Sequence, residues 1–386
     1  MTGSVQTKKG LLYLVLNTKN SEGKRKPKWI PTKLPEKGNK REAERRLNNL
    51  LAEYDSTGYI EPSKELFCDY LTDWLEMHKA NVTSITYAGY KRMLNQIYPY
   101  FKQKRITLSN LTAKHIQDYC THKGKDANVG PNTVLKHLTM IGTALKYAKK
   151  TRLIKDNPAE WVEKPKKQKF IGSFYNKDES MALLAAMKGC SIETPLMFAI
   201  YLGLRRSEIV GIKWSAIDWT NKTLAINHKI VPVNDSGKYR LDASDTLKTK
   251  SSYRTMPLDD TFITYLAELK AKQEANKELC GNGYCYDYDG YVCVNDIGEL
   301  ITPNYISAAF KKLLSKNGLR HIRLHDLRHS CASLLLSLDY SLKDIQVWMG
   351  HGDIGTTMNI YAHVESSAKK GMMSGISTAL SDTKKR

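Results

Sequence analysis

With 386 residues, 41% of them hydrophobic, the chain is long enough to bury cores in two or three domains. Its 60 Lys and Arg against 39 Asp and Glu give a formal net charge of +21, an excess that attracts polyanions and points to nucleic acid as partner. No apolar run approaches the ~18 residues that span a bilayer, and the amino-terminal apolar stretch lacks a cleavage pattern, so neither a membrane span nor a leader is expected.

Residues 10 to 34 alternate apolar stretches (LLYLVLN, KPKWIPTKL) around the polar turn NSEGKRK, which predicts a small antiparallel sheet. In the following KREAERRLNNLLAEYD, Ala43, Leu47, Leu50, Leu51 and Tyr54 share one face of a 3.6-residue repeat and form a helix able to cover that sheet. Residues 1–60 thus read as a basic module. The turn residues of GYIEPS, 58 to 63, mark its end.

From there the pattern is helical. Leu66, Phe67, Tyr70, Leu71, Trp74 and Leu75 form one stripe, and Ser84 caps a helix that turns Tyr87, Tyr90, Met93, Leu94, Ile97 and Tyr98 inward. Further helices are expected over 112–122 and 132–149, so that 61–160 is a helical domain. The prolines and basic run of IKDNPAEWVEKPKKQKF predict a linker. A third domain, 172–386, begins with helices at 178–188, 193–203 and 205–213, passes through strands near 223–232 and 253–258, and returns to helix. The fold class expected is mainly α with small β-sheets (α+β).

Seven cysteines are scattered along the chain, and Cys280, Cys285 and Cys293 lack the paired C-x2-C spacing of zinc knuckles, which fits a reducing cytoplasm. Nor is there a D-x-D or D-D-E cluster or a G-x4-G-K-[ST] loop, so no metal or other cofactor is expected.

Four strings in the last domain carry chemistry in combination: GLRRSE at 203–208, LKTKSSYRTMPL at 247–258, HDLRH at 325–329 and MGHGDIGTTMNIYAH at 349–363. In this order and spacing they resemble the tyrosine recombinases, in particular the integrases of phages and conjugative transposons. The resemblance is strongest from about 195 to 363. It implies that Arg205 and Arg328 are the two phosphate-binding arginines, that His325 and His351 are the paired histidines, and that Tyr361, one of 22 tyrosines, is the nucleophile. Glu208 would support Arg205. The lysine of the set falls on Lys248, in a β-hairpin around a Ser251-Ser252 turn, with Lys250 on the same strand face as its competitor.

Such a set suits phosphodiester attack. The phosphorane-like state gathers negative charge, which two permanently charged guanidinium forks can receive bidentately. A phenol with a pKa of about 10 needs neighbouring cations or a base to become a phenolate. The resemblance further implies a 3′-phosphotyrosyl intermediate, a free 5′-hydroxyl protonated by the lysine, and three modules: an arm-type DNA-binding domain, a core-binding domain of the SAM-like kind and a mixed α/β catalytic domain. Its partners would be double-stranded DNA attachment sites and an excision factor. Four protomers would exchange strands through a Holliday junction, and the tail around Met372, Met373, Ile376 and Leu380 would either dock on a neighbour or form a frayed terminus. A type IB topoisomerase shares the arginines, a lysine, a histidine and the tyrosine, although His351 in a GH pair and the basic amino-terminal module favour a recombinase. A noncatalytic DNA-binding protein on the same fold is the other alternative.

Overall fold

The computed structural model describes residues 2–19, 25–57, 63–126, 129–168, 173–235, 237–245 and 252–350. Contacts divide the chain into two compact units, Met1–Gln168 and Lys169–Arg386.

The first unit opens with an antiparallel sheet of β1 (Gly3–Lys8), β2 (Leu11–Lys19) and β3 (Arg25–Pro35), in that order. Pro27, Pro31 and Pro35 lack N–H donors and are tolerated because β3 is an edge strand with a single neighbour. The register shifts between Leu11 and Tyr13, where the Thr32 hydroxyl donates to the Leu12 carbonyl at 2.6 Å. Alternation along β2 puts Leu12, Leu14 and Leu16 on one face, and Ala43 and Leu47 of α1 (Lys40–Thr57) pack on them, as the helical repeat predicts.

Four helices follow in the same unit: α2 (Phe67–His78), α3 (Ser84–Lys104), α4 (Ala113–Gly124) and α5 (Pro131–Lys150). Their shared core contains Phe67, Leu71, Trp74, Ile97, Phe101, Tyr119 and Ile141, and a buried hydrogen bond from the Tyr70 hydroxyl to the Ala144 carbonyl, 2.8 Å, joins α2 to α5. Two expectations are corrected. Thr83, not Ser84, is the cap of α3, its hydroxyl accepting from the Thr86 amide, while Ser84 is already helical. The segment from Ile154 is also not a free linker throughout. Ile154, Ala159 and Val162 are buried in the helical core, and Asn157 caps the short 3-10 turn Pro158–Trp161. Its prolines start a turn that packs, rather than a spacer.

In the second unit a larger core gathers α6 (Lys177–Met187), α7 (Glu193–Tyr201), the five-residue α8 (Arg206–Val210), α9 (Asp260–Cys280), α10 (Pro303–Lys316) and α11 (Asp326–Ser337) around a small sheet. That sheet has the order β4 (Ile217–Asp218), β5 (Thr223–Ile226), β8 (Arg254–Pro257), and a separate hairpin is made by β6 (Lys229–Asp235) and β7 (Lys238–Ser244). The strands expected near 223–232 are β5 and β6, which belong to different sheets. The hairpin partner of β6 is β7, and β8 pairs with β5. The polar KYRLDAS of β7 hides its strand character because none of its described residues is buried, so no apolar alternation marks it. The last described helix, α12 (Leu342–Met349), buries Ile345 and Met349 beside Cys331 and Ala332 of α11. The molecule is mostly helical with small antiparallel sheets, and among the described residues no helix is long and apolar enough to cross a membrane.

Candidate active site

Arg205 stands where α7 gives way to α8. The chain turns at Gly203, whose φ of +60° lies in the left-handed region. A Cβ at that position would meet the Met349 side chain at 2.8 Å and Cys331 Sγ at 3.3 Å, so the backbone favours glycine and any side chain would have to displace the end of Met349. Two residues on, the Arg205 side chain donates from Nη1 to Glu208 Oε1 at 2.6 Å, while its backbone N–H donates to Oε2 of the same carboxylate at 3.0 Å. Glu208 thus caps α8 and orients the guanidinium, which remains 33% exposed and keeps an open edge. The neighbouring Arg206 points elsewhere, donating to Ser307 Oγ at 2.7 Å and to the Pro303 carbonyl at 3.2 Å.

HDLRH forms the start of α11. Asp326 is 2% exposed and accepts from the Arg323 backbone and guanidinium, which fixes the entry to the helix; burial would raise its carboxyl, yet Arg323 holds it below the usual carboxylate range. His325 precedes the helix and is exposed. Crowding of its ring by protein, with the charges of His329 and Arg328, pushes its pKa down to about 4, so it is neutral at pH 7. It opens on a cleft of about 570 Å³ shared with Arg206, Lys311, His321 and Arg323. His329 lies one turn along, its ring 5.3 Å from that of His325, with Nδ1 buried and unpartnered.

Arg328 differs from Arg205 in that it is buried, 2% exposed. Its terminal nitrogens donate to the carbonyls of Gly203 and Met349. Burial, then repulsion by Arg205, push its pKa down to about 9, which still leaves it charged at neutral pH. Of the two arginines, Arg205 is the one that reaches solvent, while the terminal nitrogens of Arg328 are taken up by backbone carbonyls.

A third arginine, missed in the sequence, completes the cluster. The side chain of Arg254, on β8, is 7% exposed and donates from Nη2 to Glu208 Oε2 at 3.1 Å. The carboxylate, 3% exposed, is thereby shared by Arg205 and Arg254; burial would raise it, but the two guanidinium groups hold it below the usual range. The three arginines converge on the carboxyl-terminal end of α12. Arg254 Nε donates to the Trp348 carbonyl at 3.1 Å, Arg328 Nη2 to that of Met349, and Arg205 Nη2 to that of Gly350 at 2.9 Å. Three successive carbonyls that a helix end leaves unpaired each receive a different cation, at the negative end of the helix dipole.

Lys248, Lys250, His351 and Tyr361, the Ser251 turn, the boundary at 58–62 and the carboxyl-terminal tail lie outside the described residues. The described chain does bring Arg205, His325 and Arg328 into one unit, and it ends, at Gly350, on the carbonyl that Arg205 holds.

Two family models match the chain: the phage integrase family over residues 173–368 and the phage integrase SAM-like domain over residues 66–169. Among curated relatives, the "Tyrosine recombinase XerC-like" protein of Caldanaerobacter subterraneus subsp. tengcongensis is 25% identical over 312 residues, 78% of either chain. Among solved structures, the Tn1549 transposon integrase in complex with a circular intermediate DNA has a TM-score of 0.63 at 18% identity, covering 81% of this chain and 99% of its own. Lambda integrase, solved as a tetramer bound to a Holliday junction, has a TM-score of 0.52 at 16% identity over 90% of this chain and 95% of that one.

Proposed function

Because the chain belongs to the phage integrase family of tyrosine recombinases, which cleave and rejoin DNA strands, we propose that it integrates and excises a mobile DNA element by attack of Tyr361 on attachment-site DNA. The observation that carries this reading is the arginine cluster: Arg205 and Arg328, from distant motifs, both hold the end of the helix that runs directly into residues 351–361. Cations gathered there favour a phenolate and stabilise the charge that develops on the nonbridging oxygens.

In this mechanism the Tyr361 oxygen forms a bond to phosphorus while the bond to the 5′ oxygen breaks, leaving a 3′-phosphotyrosyl link and a 5′-hydroxyl. Lys248, or Lys250 in its place, protonates the departing oxygen. Neutral His325 can take up the phenol proton or donate one hydrogen bond to phosphate, and His351 is the second imidazole. The open edge of Arg205 receives a phosphate oxygen, with Arg328 adding charge from behind. The covalent link conserves the phosphodiester, so the 5′-hydroxyl of a second strand can reverse the step without a nucleotide cofactor. Exchange through a Holliday junction in a tetramer follows the assembly in which lambda integrase has been solved. On this scheme residues 1–60 bind arm-type sites, 61–160 and 172–386 grip the core site, and an excision factor sets direction.

The test is a nicked duplex built from the direct repeats that bound the element around the gene, where loss of the short strand traps the covalent complex. Wild type traps, whereas Tyr361→Phe binds with nearly unchanged affinity and does not trap. Wild type that binds but never traps would establish the noncatalytic alternative. Vigorous relaxation of a supercoiled plasmid without paired sites would establish a topoisomerase.

A further inference from the structure

We propose, resting on the function given above, that Arg254 is a positioning residue for strand cleavage, tying together three of the four segments that bear the candidate catalytic groups. A basic side chain on a protein of this charge would ordinarily face solvent or DNA. This one is buried, and all three of its guanidinium nitrogens donate within the protein. Nε holds the Trp348 carbonyl in the last turn of α12, just before the run that contains His351 and Tyr361. Nη2 holds the carboxylate of Glu208, whose other oxygen orients Arg205. Nη1 donates to the Ser252 carbonyl at 3.2 Å, at the edge of the segment 246–251 that carries Lys248 and Lys250.

The other edge of that segment is also fixed. The Tyr253 hydroxyl donates to the Asp245 carbonyl at 2.6 Å, and the Asp245 carboxylate pairs with His228 Nδ1. Arg254 is itself held by strand pairing opposite Ile226 of β5. A planar fork with nitrogens on three sides can span acceptors on three segments, and the single ammonium of lysine cannot. Phosphoryl transfer needs nucleophile, general acid and cation in mutual register, and a misplacement of about 1 Å costs on the order of 100-fold in rate.

The experiment uses the full chain and the same nicked duplex, comparing wild type, Arg254→Gln and Arg254→Lys at a temperature where melts show each to be folded. The expected result is a covalent-complex rate at saturating DNA that falls about 10- to 100-fold in Arg254→Gln while Kd stays within about threefold, with Arg254→Lys recovering only part of the rate. If Arg254→Gln does not fold, Arg254→Lys, which keeps a charge beside Glu208, carries the same comparison. An unchanged rate at saturating DNA, a loss confined to Kd, or full recovery by lysine overturns the proposal. Failure of wild type to trap overturns the functional reading instead, so the two failures are distinct.

Discussion

Replacing Glu208 by Gln removes one negative charge from a site where two guanidinium groups are paired with it. The carboxylate accepts three hydrogen bonds: from the Arg205 backbone at 3.0 Å, from Arg205 Nη1 at 2.6 Å and from Arg254 Nη2 at 3.1 Å. An amide keeps one acceptor oxygen and turns an N–H₂ toward donors, so two charge-assisted bonds of about 1.5–3 kcal/mol each are lost or weakened. The loss expected is about 3–5 kcal/mol, the range for breaking a buried pair and leaving its cation uncompensated. The burial justifies using that range without solvent discount for Arg254, at 7% exposure, but less so for Arg205 at 33%. Urea unfolding at pH 7.5, followed by tryptophan fluorescence, measures it. The folded carboxyl is held below its unfolded value, so its stabilisation is present above the unfolded pKa and disappears as pH falls through the folded one. Wild type and Glu208→Gln should therefore converge in acid. Adding Arg254→Gln should restore part of the loss, because it removes the stranded charge. A single-variant loss under about 1 kcal/mol, the size of a surface pair, would refute the reasoning.

Two further outcomes are expected. His137 is fully buried against Tyr119, and burial pushes its pKa down to about 4; stability should be complete above about 6.5 and fall by about 3 kcal/mol as pH drops toward 4, since the unfolded imidazole binds a proton that the folded one refuses. Denaturant unfolding of wild type against His137→Gln isolates this contribution, and identical pH profiles would refute it. In the cleft beside His325, Lys311→Ala should weaken DNA binding and lower the slope of log K against log salt by about one, as removal of one phosphate contact does, while Lys316→Ala, outside the cleft, should leave the slope unchanged. A slope unaltered by Lys311→Ala would remove the cleft from the DNA path.

What the sequence disclosed and what it concealed divide along physical lines. Helix stripes were legible because burial repeats with the helical period: Phe67, Tyr70, Leu71, Trp74 and Leu75 are all core residues. Strings such as GLRRSE and HDLRH were legible because they compress a function into adjacent residues. Their acidic members proved to be internal supports, Glu208 for Arg205 and Asp326 for Arg323. Thr83 and Ser84 could not be told apart, since either hydroxyl can cap and only the chain's entry angle decides. Arg254 was concealed for a different reason. Nothing in YRTMP distinguishes a solvated arginine from a buried one, because its burial depends on a carboxylate 46 positions earlier and a carbonyl 94 positions later in the chain.

That long-range cluster is also where charge is left over. Arg205 and Arg254 share one carboxylate, Arg328 has only backbone carbonyls as hydrogen-bond partners, and the helix-end carbonyls contribute only partial negative charge. The excess is least screened by protein at Arg205, the member that reaches solvent. A phosphate arriving at that edge would meet a cation already oriented by Glu208 and backed by two others, without needing to reorganise the buried pair. Preorganisation of this kind separates a site that merely attracts DNA from one that can stabilise a phosphorane. It also accounts for burying Arg328 and Arg254: low-dielectric placement strengthens their field at the phosphate, while the α12 carbonyls keep their desolvation tolerable.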